Sequence, residues 1–130
     1  NIYGTLKLNE DITVPRSQLP ELLRRIARIG DKYGVRVPCF GHTGDGNVHT
    51  NVMVADKKDE AQVRRGHDAI TEIFKAAVDL GGTLSGEHGI GLNKAEFMPL
   101  AFSAAEMELF RAIKRAFDPK GILNPGKMGL

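Results

Sequence analysis

The sequence predicts an α+β fold: a mainly antiparallel sheet with helices packed on one face, followed by a C-terminal helix and tail. Three observations carry that expectation. Amphipathic runs recur at helical spacing, shorter runs alternate or collect β-branched residues, and their order reads strand, helix, hairpin, helix, strand, helix. A hairpin at the centre of that order calls for antiparallel neighbours, and helices on either side of it need a common apolar face to cover.

The first strand is read in "IYGTLKL", where Ile2, Gly4, Leu6 and Leu8 alternate with Tyr3, Thr5 and Lys7. "NEDITVP" then leads into a helix whose Leu19, Leu22, Leu23, Ile26, Ile29 and Tyr33 recur at helical spacing, with Gly34 as its stop. "VRVPCFGH" reads as a strand that Pro38 confines to an edge or an irregular position, because proline has no N–H for a ladder. "NVHTNVMVA" is its hairpin partner. A second helix opens at Asp59-Glu60 and ends at Gly81-Gly82, with Val63, His67, Ile70, Phe74, Ala77 and Val78 on one face. His67 is read as a structural member of that face.

"TLSGEHGIGLNK" is expected to be a short strand running into a glycine-rich turn, and "AEFMPL" at most a turn or two of helix before Pro99. Ser103-Ala104-Ala105-Glu106 forms a capping box ahead of Met107, Phe110, Ile113 and Phe117. Asp118-Pro119 closes that last helix, and "KGILNPGKMGL" is a tail of turns.

At 130 residues, 42% apolar and 26% charged, the chain suits one folded domain rather than a disordered segment. Its net charge of +2 is spread among both signs with no basic stripe, which argues against nucleic acid as a partner. No apolar run approaches a transmembrane span, and no signal-peptide pattern is present. The single cysteine, Cys39, has no intrachain partner and lies in the strand-like "VRVPCF", so it reads as a buried, inert thiol in a reducing compartment. The chain opens at Asn1 directly into strand-like sequence, which suggests processing or a piece of something larger.

Chemistry is concentrated in "GHTGDGNVH". If Asp45-Gly46 forms the centre of a two-residue turn, counting outward sets Gly44 against Asn47, Thr43 against Val48 and His42 against His49. Directly opposed side chains lie about 4.5–5.5 Å apart at Cβ, close enough for two imidazoles to share one ion. Asn51 shares the face of His49 by alternation. Glu87, in "SGEHGIG", would add a carboxylate and leave open positions, as a catalytic metal requires, while the adjacent His88 would point elsewhere. The same glycines, Gly41, Gly44 and Gly46, also suit a turn with no ligand at all, and from spacing alone both readings stand.

"GGTLSGEHGIGLNK" with Lys94 fits neither the G-x-x-x-x-G-K-[ST] nor the G-x-G-x-x-G spacing of nucleotide loops. Neither Ser85 nor Cys39 has an evident base beside it.

Three motifs in order, "GHTGDGNVHTNV", "GGTLSGEHGIGLNK" and "FDPKGILNPGKM", resemble the carboxy-terminal part of the FAD-linked 2-hydroxy-acid oxidases and dehydrogenases. These include the glycolate oxidase flavin subunit, D-lactate dehydrogenase and D-2-hydroxyglutarate dehydrogenase, within the vanillyl-alcohol-oxidase-type flavoproteins. The resemblance covers essentially the whole chain. It implies that residues 1–130 are the substrate or cap portion, of ferredoxin-like cap type, with the flavin-binding half absent. It further implies that His42, His49 and Glu87 bind a divalent metal, usually zinc, and that Asn51 contacts the substrate along with the metal-binding histidines. His88 would be the base that removes the hydroxyl proton as the C2 hydride passes to FAD, and Asn124 would approach the flavin. A metal on the hydroxyl and carboxylate oxygens would orient the acid and ease that proton's loss.

Relatives acting on dicarboxylic acids tend to carry a lysine at the position of Asn9, so its absence favours a monocarboxylate of D-lactate or glycolate type. The fragment alone is expected to be inactive. The protein is expected to be cytoplasmic or peripheral at a membrane, with a 2-hydroxy acid as its small-molecule partner, and self-association or partner subunits are compatible with the reading. The electron acceptor is not specified. A stand-alone metal- or ligand-binding α+β module without redox activity is the competing reading, and a turn-only interaction domain is the third.

Overall fold

The structure is a computed structural model that describes residues 6–130. The amino-terminal part of the first predicted strand, Ile2 to Thr5, lies outside the described residues. The chain divides into two units, one ending at His88 and the other spanning Gly89–Leu130.

The first unit is built on a three-stranded antiparallel sheet of β1 (Leu6–Thr13), β2 (Cys39–His42) and β3 (Asn47–Val54), with β3 in the centre. Helices α1 (Leu19–Tyr33) and α2 (Glu60–Asp79) complete it. In β1 and β3, Leu6 pairs with Val54 and Thr13 with Asn47, so alternation sends Leu8, Ile12, Val48, Val52 and Val54 to one side. Ile12, Val52 and Val54 are buried there together with Leu22 and Ile26 of α1 and Ile70, Ile73 and Phe74 of α2. Each such side chain contributes about 1.5–3 kcal/mol by leaving water. The opposite side of the sheet carries Asn9, Asp11 and Thr13, then Asn47, His49 and Asn51, then Phe40 and His42. One face is therefore the core, and the other is mainly polar, with Phe40 and Met53 its apolar members.

Helix α1 ends where the sequence indicates, with Gly34 in the left-handed region at φ 64. In α2 the Asp59 side chain accepts from the amides of Ala61 and Gln62 and so caps the helix. The buried stripe of α2 runs through Gly66, Ala69, Ile70, Ile73, Phe74 and Ala77. A Cβ on Gly66 would stand 2.9 Å from Val54 Cγ2, so the bare backbone lets the helix sit close on β3. That contact turns His67 outward, and it is exposed rather than part of the apolar face. On the outer side, Lys32 of α1 pairs with Glu72 of α2 at 2.6 Å.

Three elements differ from the sequence reading. β1 continues through "NEDIT" to Thr13, because its polar residues fill the polar face while Ile12 enters the core. "TLSGEHG" forms no strand beyond a single bridge from Thr83 to Thr13; its next amides bond a side chain instead. The hairpin loop takes in Thr43 to Gly46, with His42 paired to Asn47 and Phe40 to His49. The Asp45-Gly46 pair does not make a two-residue turn, since the Gly46 carbonyl accepts from Val14 N–H at 3.0 Å and is held to the end of β1.

The second unit begins with a 3-10 turn, Ala95–Phe97, that runs into the short helix α3 (Met98–Ala101). Pro99 sits in the first turn of α3, where its missing N–H costs nothing, so it starts a helix rather than ending one. Helix α4 (Ala104–Phe117) carries the complete Ser103–Glu106 capping box. Met107 is buried, but Ile113 and Phe117, expected on a core face, are exposed, as are Ile122 and Leu123 of the tail. The tail returns to Gly91, whose carbonyl accepts from Met128 N–H at 2.7 Å.

Candidate metal and substrate site

His49 occupies the middle of the central strand on the polar face and is 7% exposed. Phe40, its direct partner on β2, stacks on it with ring centroids 5.0 Å apart and planes 20° apart. His42 lies on the same face, and its ring meets His49 edge-on at 6.2 Å. The actual register is two residues away from the one counted out from Asp45-Gly46. A shift of two preserves the face, so the histidines still converge, as diagonal rather than opposed neighbours.

The loop after α2 brings the carboxylate. Glu87 Oε1 stands 3.0 Å from His49 Nε2, and one donor atom each from His42, His49 and Glu87 can be chosen so that all lie within 4.8 Å of one another. Two imidazoles and a carboxylate, with solvent-exposed His42 and Glu87 leaving the outer side open, form a donor set that suits zinc or a similar divalent ion. His88 follows directly. Its ring lies 5.1 Å from that of His49, its Nε2 is 3.9 Å from Glu87 Oε1, and its side chain is 46% exposed.

What holds this loop is Asp11, a residue the sequence reading did not single out. Its carboxylate is fully buried, and Oδ2 accepts from the successive amides of Gly86, Glu87 and His88 at 2.8, 2.6 and 3.1 Å. Oδ1 accepts from the Ser85 hydroxyl at 3.2 Å and stands 3.4 Å from His88 Nδ1. The loop lies tightly on the sheet at Gly86, where a Cβ would come within 2.3 Å of Asn47 Oδ1 and 2.5 Å of Thr13 Oγ1. The available signal was the alternation Asn9, Asp11, Thr13, which continues the strand on the polar side; ending β1 at Leu8 hid it.

Asn51 follows His49 on the same face, is 8% exposed, and its Oδ1 has no hydrogen-bond partner among the described residues. Asn9 is its cross-strand partner on β1. Asn124 belongs to the second unit, where it is exposed and takes a left-handed conformation at φ 46 between Leu123 and Pro125. Cys39 is half-buried and donates to the Val37 carbonyl at 3.5 Å; burial pushes its thiol pKa up, which keeps it protonated and unreactive. Among the described residues no helix is long and apolar enough to cross a membrane.

A family model described as "FAD linked oxidases, C-terminal domain" matches residues 2–128. The chain is 42% identical over 119 residues to glycolate oxidase subunit GlcD of Bacillus subtilis, covering 92% of this chain and 25% of that protein. It is 40% identical over 120 residues to D-lactate dehydrogenase of Archaeoglobus fulgidus, covering 91% and 26% respectively. Against D-2-hydroxyglutarate dehydrogenase of Stutzerimonas stutzeri the identity is 36% over 121 residues, covering 91% and 26%. The chain thus spans about a quarter of the length of these relatives. In fold it is similar to 4-ethylphenol oxidase from Gulosibacter chungangensis, solved with isoeugenol, with a TM-score of 0.61 at 23% identity over 95% of this chain and 24% of that one.

Proposed function

The chain belongs to the C-terminal domain family of the FAD linked oxidases, and we propose that it is the substrate portion of a flavoprotein that oxidises a 2-hydroxy acid to the 2-oxo acid. The observation that carries this reading is the convergence of His42, His49 and Glu87 on one polar face, with His88 beside them and Asn51 next along the strand. The names of the glycolate, D-lactate and D-2-hydroxyglutarate relatives support the substrate class.

His42, His49 and Glu87 are the residues that would hold a divalent ion, zinc by donor type. Such an ion supplies Lewis-acid polarisation of the substrate oxygens and fixes their orientation. Asn51 holds the substrate through a buried amide whose oxygen is otherwise unpartnered, a group that is costly to bury unless a ligand satisfies it. His88 takes the hydroxyl proton on Nε2. FAD, held mainly by the larger part of the protein, would supply the hydride acceptor, and the exposed Asn124 is the residue of this chain that would approach it.

Asn9 lies across from Asn51 and brings no cation to that end of the site, in keeping with a monocarboxylate of D-lactate or glycolate type. The 130-residue chain by itself is inactive in this reading.

The test uses the full-length protein under anaerobic conditions with a panel of D- and L-2-hydroxy acids. A small monocarboxylate is expected to bleach the flavin, and His88→Ala to slow that step by at least about 100-fold, the usual worth of a general base. Bleaching by none of the acids would defeat the reaction class; near-normal rates in the variant would defeat the base.

A further inference from the structure

The carboxylate of Asp11 is fully buried directly beneath the loop that carries Glu87 and His88, and the Ser85 hydroxyl reaches both of its oxygens, at 3.2 and 3.3 Å. Oδ2 is occupied by three successive backbone N–H groups, an arrangement that fixes the loop's path. Oδ1 shares the Ser85 hydroxyl with Oδ2 and stands 3.4 Å from His88 Nδ1. A carboxylate oxygen of that kind can only accept. A ring nitrogen turned toward it is favourable when it carries hydrogen and repelled when it presents a lone pair.

We propose that Asp11 is a positioning residue for the base: it holds His88 in the tautomer with hydrogen on Nδ1, which leaves Nε2 as the proton acceptor. This rests on the reading of His88 as the base. A neutral imidazole has one N–H, so the partner at one nitrogen decides what the other can do. The same carboxylate fixes the backbone of Glu87 and His88. One buried group therefore sets both the placement of the metal carboxylate and the proton state of the base.

Mooring the loop and setting the tautomer are separable by Asp11→Asn. The amide oxygen can take over the three backbone N–H groups. The amide nitrogen then faces His88 Nδ1 as a donor, so Nδ1 must accept and the proton moves to Nε2. A histidine in that state keeps its position and loses its function as a base, the outcome known for the analogous change in serine proteases.

The experiment compares the wild-type full-length protein with Asp11→Asn for metal content, flavin content, melting temperature, flavin reduction by stopped flow, and the His88 tautomer. The last is read from ¹⁵N shifts of histidine-labelled protein, with His88 assigned through His88→Gln. The variant is expected to keep its metal, flavin and melting temperature while losing about 10²–10⁴-fold in reduction rate. Its His88 proton is expected on Nε2, against Nδ1 in the wild type.

Reduction within about threefold of wild type, or an unchanged tautomer, would overturn the proposal. Loss of metal or fold in step with activity would also overturn it, leaving Asp11 a mooring only. The wild-type spectrum is decisive without any variant: His88 protonated on Nε2 ends the proposal. If the wild type reduces its flavin with no 2-hydroxy acid, the functional reading falls, yet the tautomer still answers the question about Asp11.

Discussion

His49 is where the separate parts of the site meet: Phe40 covers one side of its ring, His42 approaches edge-on, and Glu87 comes within 3.0 Å of Nε2. Burial on the central strand fixes its orientation, whereas His42 and Glu87 are exposed and can adjust around an ion. His49→Ala should therefore lower divalent-metal affinity by at least about 100-fold, since loss of even an outer partner of a ligand costs about 10–100-fold. Elemental analysis of the dialysed full-length protein checks this, and unchanged metal content would remove His49 from the ligand set. The histidines and Glu87 were legible as residue types at suggestive spacing. Asp11 was not, because an acidic residue beside Glu10 in "NEDITVP" looks like any solvated loop carboxylate until β1 is seen to run through it.

At the scale of elements, a second buried aspartate works differently. Asp118 ends α4 and gathers the tail: it accepts from Lys114 Nζ, from Ile122 N–H at 3.0 Å and from Leu123 N–H at 2.9 Å. The hydrogen bond from Lys114 is the chief cause that lowers its pKa below the ordinary aspartate range, with the two tail amides adding to it. A depressed carboxyl contributes stability that is complete above its unfolded value, about 3.9, and is lost as pH falls through the folded one. Asp118→Asn should thus loosen the tail at neutral pH, and the difference from wild type should close below about pH 4. Amide exchange at Ile122 and Leu123 in the full-length protein reads both effects, with roughly tenfold faster exchange expected at neutral pH; equal rates there would refute the clamp. Helices α1, α2 and α4 were readable because each has a period and a stop or cap. The end of β1 and the course of "TLSGEHG" were not, because their polar groups answer to partners distant in the chain.

For the molecule as a whole, the chain spans about a quarter of the relatives it matches, and its own glycine-rich stretches fit no dinucleotide or P-loop spacing. The isolated 130-residue chain is accordingly expected to bind FAD weakly, with a Kd no tighter than about 100 µM by calorimetry on chain shown folded by circular dichroism. Stoichiometric micromolar binding would contradict the assignment of most flavin contacts to the rest of the protein. By itself the sequence determined the fold class, the helices, the family and the residue types able to hold a metal, because periodicity, caps and motifs are local in the chain. Only the tertiary structure decided the hairpin register, the length of β1 and the partner of the His88 loop. Those depend on which backbone groups pair across the fold: Val14 claims the carbonyl of Gly46, and Asp11 claims three amides some 75 residues away.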